Sequence, residues 1–235
     1  MPMRCDVPSN GWAHSVESVD VTGYSGYMQS GGMLMTSPEG TRWRFDAGTL
    51  FLEFMLTGGP GRIARFDSLH QPVDFTRWAR ECRLGLDPPS IESTPEDITT
   101  ARSLRDALWR ITWALMSGEA AHPADLLVLN NSAAVPPLAP QMGTDLRARW
   151  ELPVDTLAIL STVARDAIEV LSGTAAARIR ECEAGDCQLV FLDTSRPGSR
   201  RWCSMERCGN RHKVRALRSR RSTLISPTSG DHEGE

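Results

Sequence analysis

Four of the chain's six cysteines fall within 27 residues, as two pairs of identical spacing: Cys182 and Cys187, then Cys203 and Cys208, with fifteen residues between the pairs. Two short-spaced pairs brought together by a hairpin supply four thiolates at the corners of a tetrahedron, the arrangement Zn2+ favours, without any preformed core. With all four positions filled by protein, no coordination site stays open, which points to a structural ion and away from metal catalysis. Each pair encloses four residues, at the wide end of the usual range, so spacing alone also leaves iron or a redox disulfide pair as alternatives. Six cysteines in 235 residues are too few for a disulfide scaffold. Cys5 and Cys82 lie far from the cluster and read as plain thiols, Cys82 as a small apolar residue in a helix.

Charge divides the chain at the same place. The net charge of -3 conceals -7 over residues 1–177, +7 over residues 178–221 and -3 over residues 222–235. Lys213 is the single lysine among 26 basic residues, so arginine abundance says little and arginine clustering says more. No run of 18 uncharged apolar residues occurs, and no basic stretch leads into an apolar one at the N-terminus. Neither a spanning helix nor a signal peptide is therefore expected, and a cytoplasmic protein is.

Before the cysteines the periodicity is mainly helical. Residues 1–42, rich in Gly, Ser and Met, show no sustained period and read as a mobile extension. Phe45, Leu50, Phe51, Phe54 and Met55 predict a first short helix, and Phe75, Trp78, Ala79 and Cys82 a second over 72–84. The strongest signal starts at Thr94, a good N-cap, with Pro95 at the first helical position, Glu96 and Asp97 against the dipole, and Gly118 at the exit. Leu104, Leu108, Ile111 and Leu115 form its predicted buried stripe; Arg102, Arg105 and Arg110 read as solvated charges. A helix from Pro123 carries Leu126, Leu127 and Leu129; the proline-rich stretch 135–153 predicts a hairpin or irregular crossing. A long helix over 153–173 then turns Leu157, Leu160, Ala164, Ile168 and Leu171 inward.

Between the cysteine pairs, Leu189 and Phe191 predict a strand that turns at Pro197 and Gly198. The segment after Trp202 is helical, which gives a knuckle, a hairpin and a helix in treble-clef order. On that helix Arg207, Arg211, Arg215 and Arg218 share one face, with Val214 and Leu217 on another. Lys213, Arg200 and Arg201 extend the stripe, which suits phosphate contact; docking on the acidic N-terminal part, or plain solvation, competes with that reading. Asn210 suits either a base edge or a helix cap, with capping preferred.

The run FLDTSRPGSRRWCSMERCGNRHKVRALRSRR resembles the CGNR zinc-finger family, named for Cys208-Gly209-Asn210-Arg211, and RFDAGTLFLEF with the helices after it resembles the ABATE domain that precedes such fingers. The resemblance covers about residues 43–221. It implies Zn2+ held by Cys182, Cys187, Cys203 and Cys208, and a stress-induced or ligand-responsive bacterial transcriptional regulator whose finger meets DNA.

The expected architecture is a mainly α N-terminal domain (43–177) with a small β-hairpin element, a treble-clef-like zinc finger with four cysteine ligands (178–221) and a disordered acidic tail (222–235). Its expected partners are DNA, with RNA the other nucleic acid that would suit, and a small-molecule effector. An interaction module with a docked basic finger is the rival. Enzymatic activity is the weakest reading: the chain has no Gly-rich phosphate loop, no HExxH and no G-x-S-x-G, and His14, His70, His122, His212 and His232 stand apart from other candidate ligands or nucleophiles.

Overall fold

The computed structural model describes residues 32–37, 40–215 and 217. A hairpin comes first: β1 (Met33–Thr36) pairs antiparallel with β2 (Arg42–Phe45), Met33 opposite Phe45. Alternation along β2 buries Trp43 and Phe45 and turns Arg42 and Arg44 outward. The extension predicted through residue 42 thus yields to structure at Met33, and Phe45 belongs to a strand instead of the first helix. Residues 1–31 and the acidic tail lie outside the described residues.

Helix α1 (Leu50–Met55) is buried at all six positions, as expected of a short helix apolar on every side. It is the hub of the domain. Its N-terminus is capped from a distance: the Thr49 hydroxyl and the Phe51 N–H, at 2.8 Å, both donate to Asp166 Oδ2 on α5. Its one charge, Glu53, is satisfied by the Arg83 N–H at 2.9 Å and the Arg83 guanidinium at 3.0 Å. A buried carboxylate left without those partners would cost several kcal/mol, about 3–5.

Helix α2 (Pro72–Glu81) packs Phe75 and Trp78 on Phe54, with Phe54 and Trp78 ring centroids 4.9 Å apart. Helix α3 (Pro95–Ser117) begins with the predicted cap, in which Thr94 Oγ1 accepts from the Asp97 N–H and the Asp97 carboxylate accepts from the Thr94 N–H. It ends at Gly118 with φ of 71°, the left-handed exit glycine adopts freely. Helices α4 (Pro123–Ala134) and α5 (Thr156–Ser172) complete the layer, α5 crossing both α1 and α3. Strand β3 (Ile91–Glu92) pairs in parallel with β6 (Val154–Asp155), which ties the starts of α3 and α5 together. Between α4 and β6, β4 (Pro140–Met142) and β5 (Ala148–Trp150) form the predicted hairpin.

Several inward assignments are corrected. Leu115 is 37% exposed and Leu157 38%, while the buried stripe of α5 runs through Ile159, Leu160, Val163, Ala164, Ala167 and Val170. On α4, for which the sequence assigns no inward face, Leu126 and Leu127 are exposed and Leu129 is buried. Arg105 reverses its predicted role: it is buried, donating to Asp67 Oδ1 at 2.9 Å and to the Thr57 carbonyl at 3.2 Å. Arg102 joins Asp67 at 2.8 Å, and Arg110 pairs with Asp125 at 2.6 Å.

The C-terminal module is not a tethered appendage. Strand β7 (Ile179–Glu181) pairs antiparallel with β8 (Val190–Leu192), and all three residues of β8 are buried against the α1 end of the helical domain. The Leu192 N–H donates to the Ala47 carbonyl at 2.9 Å. Gly48, at φ of 90°, lies so close that a Cβ there would stand 2.8 Å from Leu192 Cβ. One continuous apolar cluster runs from Met33 to Cys208. Among the described residues no helix is long and apolar enough to cross a membrane.

Candidate metal centre and basic helix

The 182–189 loop between β7 and β8 is a tight knuckle. The Cys182 N–H donates to the Leu189 carbonyl and the Cys187 N–H to the Ala184 carbonyl, each at 2.8 Å, while Gln188 takes a positive φ of 62° to close it. After β8, buried Asp193 accepts from the N–H groups of Ser195 at 2.9 Å and Arg200 at 2.8 Å, folding the chain back through the 195–198 turn. This returns Cys203 to the knuckle. Ser204 caps the next helix by accepting from the Glu206 N–H at 3.1 Å, and Cys208 lies in the opening π turn (Met205–Gly209).

All four Sγ atoms lie within 4.8 Å of one another, and all four residues are buried. Cys187 and Cys203 sulfurs are 3.6 Å apart, Cys203 and Cys208 3.4 Å. Metal–sulfur bonds of about 2.3 Å in a tetrahedron set sulfur–sulfur edges of about 3.8 Å, so the four donors fit one ion. The cysteines are free thiols, not disulfides. Hydrogen bonds from Cys187 and Cys203 hold the Cys182 thiol far below the usual range, whereas contact with Cys182 and Cys187 drives Cys203 up. Four sulfurs packed this closely can all ionise only around a divalent cation. The Cys203 N–H reaches Cys182 Sγ at 3.4 Å and the Arg211 guanidinium reaches Cys208 Sγ at 3.3 Å, both placed to soften thiolate charge.

The basic side chains described divide into four groups. Arg200 points inward: it donates to the carbonyls of Asp46, Trp202 and Cys203 and lies 4.1 Å from the Phe191 ring centroid. Arg207 stacks on Trp43 of β2 at 3.9 Å, and Arg201 pairs with Glu183 while lying over Trp202. Arg211 and Arg215 converge on Asp186, at 3.1 Å and 3.2 Å. Burial acts to raise Asp186, but the Arg215 and Arg211 guanidiniums outweigh it and hold the carboxyl below its usual range. Lys213 is exposed with no partner among the described residues, and the same is true of Arg196 in the turn. Arg218 lies outside the described residues. The N-cap is Ser204; Asn210 stands at the C-cap of the Met205–Gly209 turn, and its amide reaches back to the Glu206 carbonyl at 3.4 Å from an exposed position.

The family whose sequence model is described as "Putative stress-induced transcription regulator", ABATE, matches residues 48–174. The chain belongs to the ABATE family. The CGNR zinc finger matches residues 178–221, so the two units follow one another with three residues between them. No curated protein matches the chain.

Within this ABATE–CGNR chain the naming run of the finger has a physical reading. Cys208 is a metal-site thiol, Gly209 is buried beneath Met205, and Arg211 bridges Cys208 to Asp186. Sequence spacing alone brought the four cysteines together correctly. It missed Asp186, Trp43 and Asp46, the three residues that receive Arg211, Arg207 and Arg200. Trp43 and Asp46 lie more than 150 residues before the finger residues they meet, and nothing local in the sequence connects them.

Proposed function

We propose that the chain is a transcriptional regulator in which Zn2+ on Cys182, Cys187, Cys203 and Cys208 fixes the finger, and the outer face of the finger binds duplex DNA. The ABATE domain, in this reading, receives a small-molecule effector. The observation that carries the proposal is unequal sharing of charge: Arg211 and Arg215 divide one carboxylate, and Lys213 and Arg196 lack one among the described residues. A positive excess held on an exposed helix is what phosphate binding uses, because each neutralised phosphate releases condensed counterions. Arg200 and Arg207 are excluded from this surface, since both are engaged with the helical domain. The all-thiolate donor set and the finger match both support zinc. No catalytic step forms part of the proposal.

Fluorescence anisotropy of zinc-loaded full-length protein on a labelled duplex tests it. Affinity should fall steeply as salt rises, and the Lys213→Ala, Arg215→Ala double variant should flatten the log–log slope by about 1 per contact removed. Absence of binding at low salt would end the DNA reading. A protein-partner reading is favoured by one observation, the exposure of Val214 (46%) and Leu217 (58%) beside the arginines. It predicts that Val214→Asp leaves duplex affinity intact and abolishes a partner contact.

A further inference from the structure

Where the last turn of α3 faces β7, two adjoining cavities of about 600 Å³ and 510 Å³ share Met116 and Glu181 in their walls and form one groove. Its walls draw on both halves of the chain. The apolar side is Leu115 and Met116, large hydrophobic residues left more than a third exposed at the end of a helix whose other apolar positions are mostly covered. Buried Ile179 closes the floor from β7. The polar side has two cations and one anion, Arg62 and Arg180 against Glu181.

Arg62 and Glu181 are ion-paired at 2.9 Å across 119 residues of sequence. The same guanidinium lies 5.6 Å from the ring centroid of Trp113, whose indole N–H has no partner among the described residues. Glu181 directly precedes the metal-site residue Cys182. A ligand that alters the Arg62–Glu181 pair therefore acts one residue from the metal site.

We propose that this groove is the effector site and that it takes a small apolar carboxylate, such as an arenecarboxylate. The inference rests on the reading of the chain as a ligand-responsive regulator. The apolar body of the ligand covers Leu115 and Met116 above the floor at Ile179, removing from water the apolar surface that those two side chains leave open. Its carboxylate takes the Arg62 fork in place of Glu181, in the bidentate geometry guanidinium favours. The excess cation in the wall selects an acid over an amine. Released from Arg62, Glu181 frees β7 to shift, and with it the strand that leads into Cys182.

The test uses the zinc-loaded full chain without DNA, 8-anilinonaphthalene-1-sulfonate as the fluorescent aromatic anion, and two competitors, 1-naphthoate and 1-naphthylmethylamine. Naphthoate should displace the dye at least about tenfold more effectively than the amine. Met116→Glu places a like charge at an exposed position in the shared wall and should weaken dye binding by about tenfold or more, with zinc content unchanged. Ser117→Glu, on the same wall, serves as the second variant, and Arg62→Gln should erase the preference for the acid. Dye binding that both glutamate variants leave unchanged, equal displacement by the amine, or no binding at about 1 mM dye would each overturn the proposal. Duplex affinity is not part of this readout, so failure of DNA binding and failure of the groove are separately visible.

Discussion

The helical domain and the finger use arginine in opposite ways. In the helical domain the buried cations are matched by carboxylates: Arg83 has Glu53 at 3.0 Å, and Arg105 has Asp67 at 2.9 Å, which it shares with Arg102, and Asp106 at 3.0 Å, while the exposed Arg110 has Asp125 at 2.6 Å. In the finger, Arg211 and Arg215 must share Asp186, and the Arg215 side chain remains 62% exposed. Arg105, 1% exposed and held by two carboxylates, stabilises the fold, whereas the finger pair keeps a positive excess at the surface. Arg200 marks the boundary, a finger residue turned inward onto backbone carbonyls and the Phe191 ring instead of a carboxylate.

The largest test of the comparison removes the metal site. With Zn2+ bound as proposed, Cys208→Ser, or chelation, should lower the melting temperature of the whole chain in one cooperative transition, because a structural zinc site contributes on the order of 10 kcal/mol and β8 belongs to the shared core. Calorimetry that finds the helical domain melting unchanged would separate the two regions and break the picture. Next in size, Arg105→Met leaves Asp67 without its buried partner and should cost about 3 kcal/mol or more, roughly 10 °C in melting temperature. Arg215→Ala, removing an exposed pair, should change stability by no more than about 0.5 kcal/mol while weakening duplex binding. Equal destabilisation by the two variants would erase the distinction between the regions.

Asp166 gives a comparable effect that depends on pH. Burial pushes its carboxyl up to about 6, against hydrogen bonds from Thr49 and Phe51 and the field of Arg83. The folded value lies above the unfolded one, so folding favours the protonated form; that contribution is complete below about pH 4 and lost as pH rises through about 6. Relative to wild type, Asp166→Asn should therefore lack roughly 3 kcal/mol of declining stability between those limits. Parallel urea melts of both proteins at the two ends of the window check it, and identical pH slopes would refute it. The smallest expected effect belongs to Asp186→Asn, which frees Arg211 and Arg215 from their shared acid. Duplex affinity at low salt should rise about threefold to tenfold, with stability within about 1 kcal/mol of wild type. A fall in affinity would mean that Asp186 holds the cations in their binding geometry.

What could be read from the sequence follows from how local each signal is. The cap of α3 at Thr94 and its exit at Gly118 depend on neighbouring residues, and both stand where expected. The cysteine cluster was equally legible, because ligand spacing is a local constraint even when the ligands meet across a hairpin. The hairpin β1–β2 was missed because Met33–Thr36 has no alternation strong enough to register against its Gly-rich surroundings. In α5 the small residues Ala164 and Ala167 mark the buried face as much as the leucines do, and weighting size put Leu157 inside. The partners of Arg105 and Arg200 lie 38 and 154 residues away, so their burial could not be read from helix-face patterning.

The placement of Leu192 over Gly48 bears on how the protein is made. On the ribosome the helical domain emerges first, yet the edge of α1 beside Ala47 and Gly48 stays open until residues 190–192 have left the exit tunnel. Strand β8 lies between the two cysteine pairs in the chain, so the segment that closes this edge also carries the backbone from the first pair to the second. The core of the first domain is thus closed by residues that follow it in the chain, so a chain ending before residue 190 would leave the edge beside Ala47 and Gly48 uncovered.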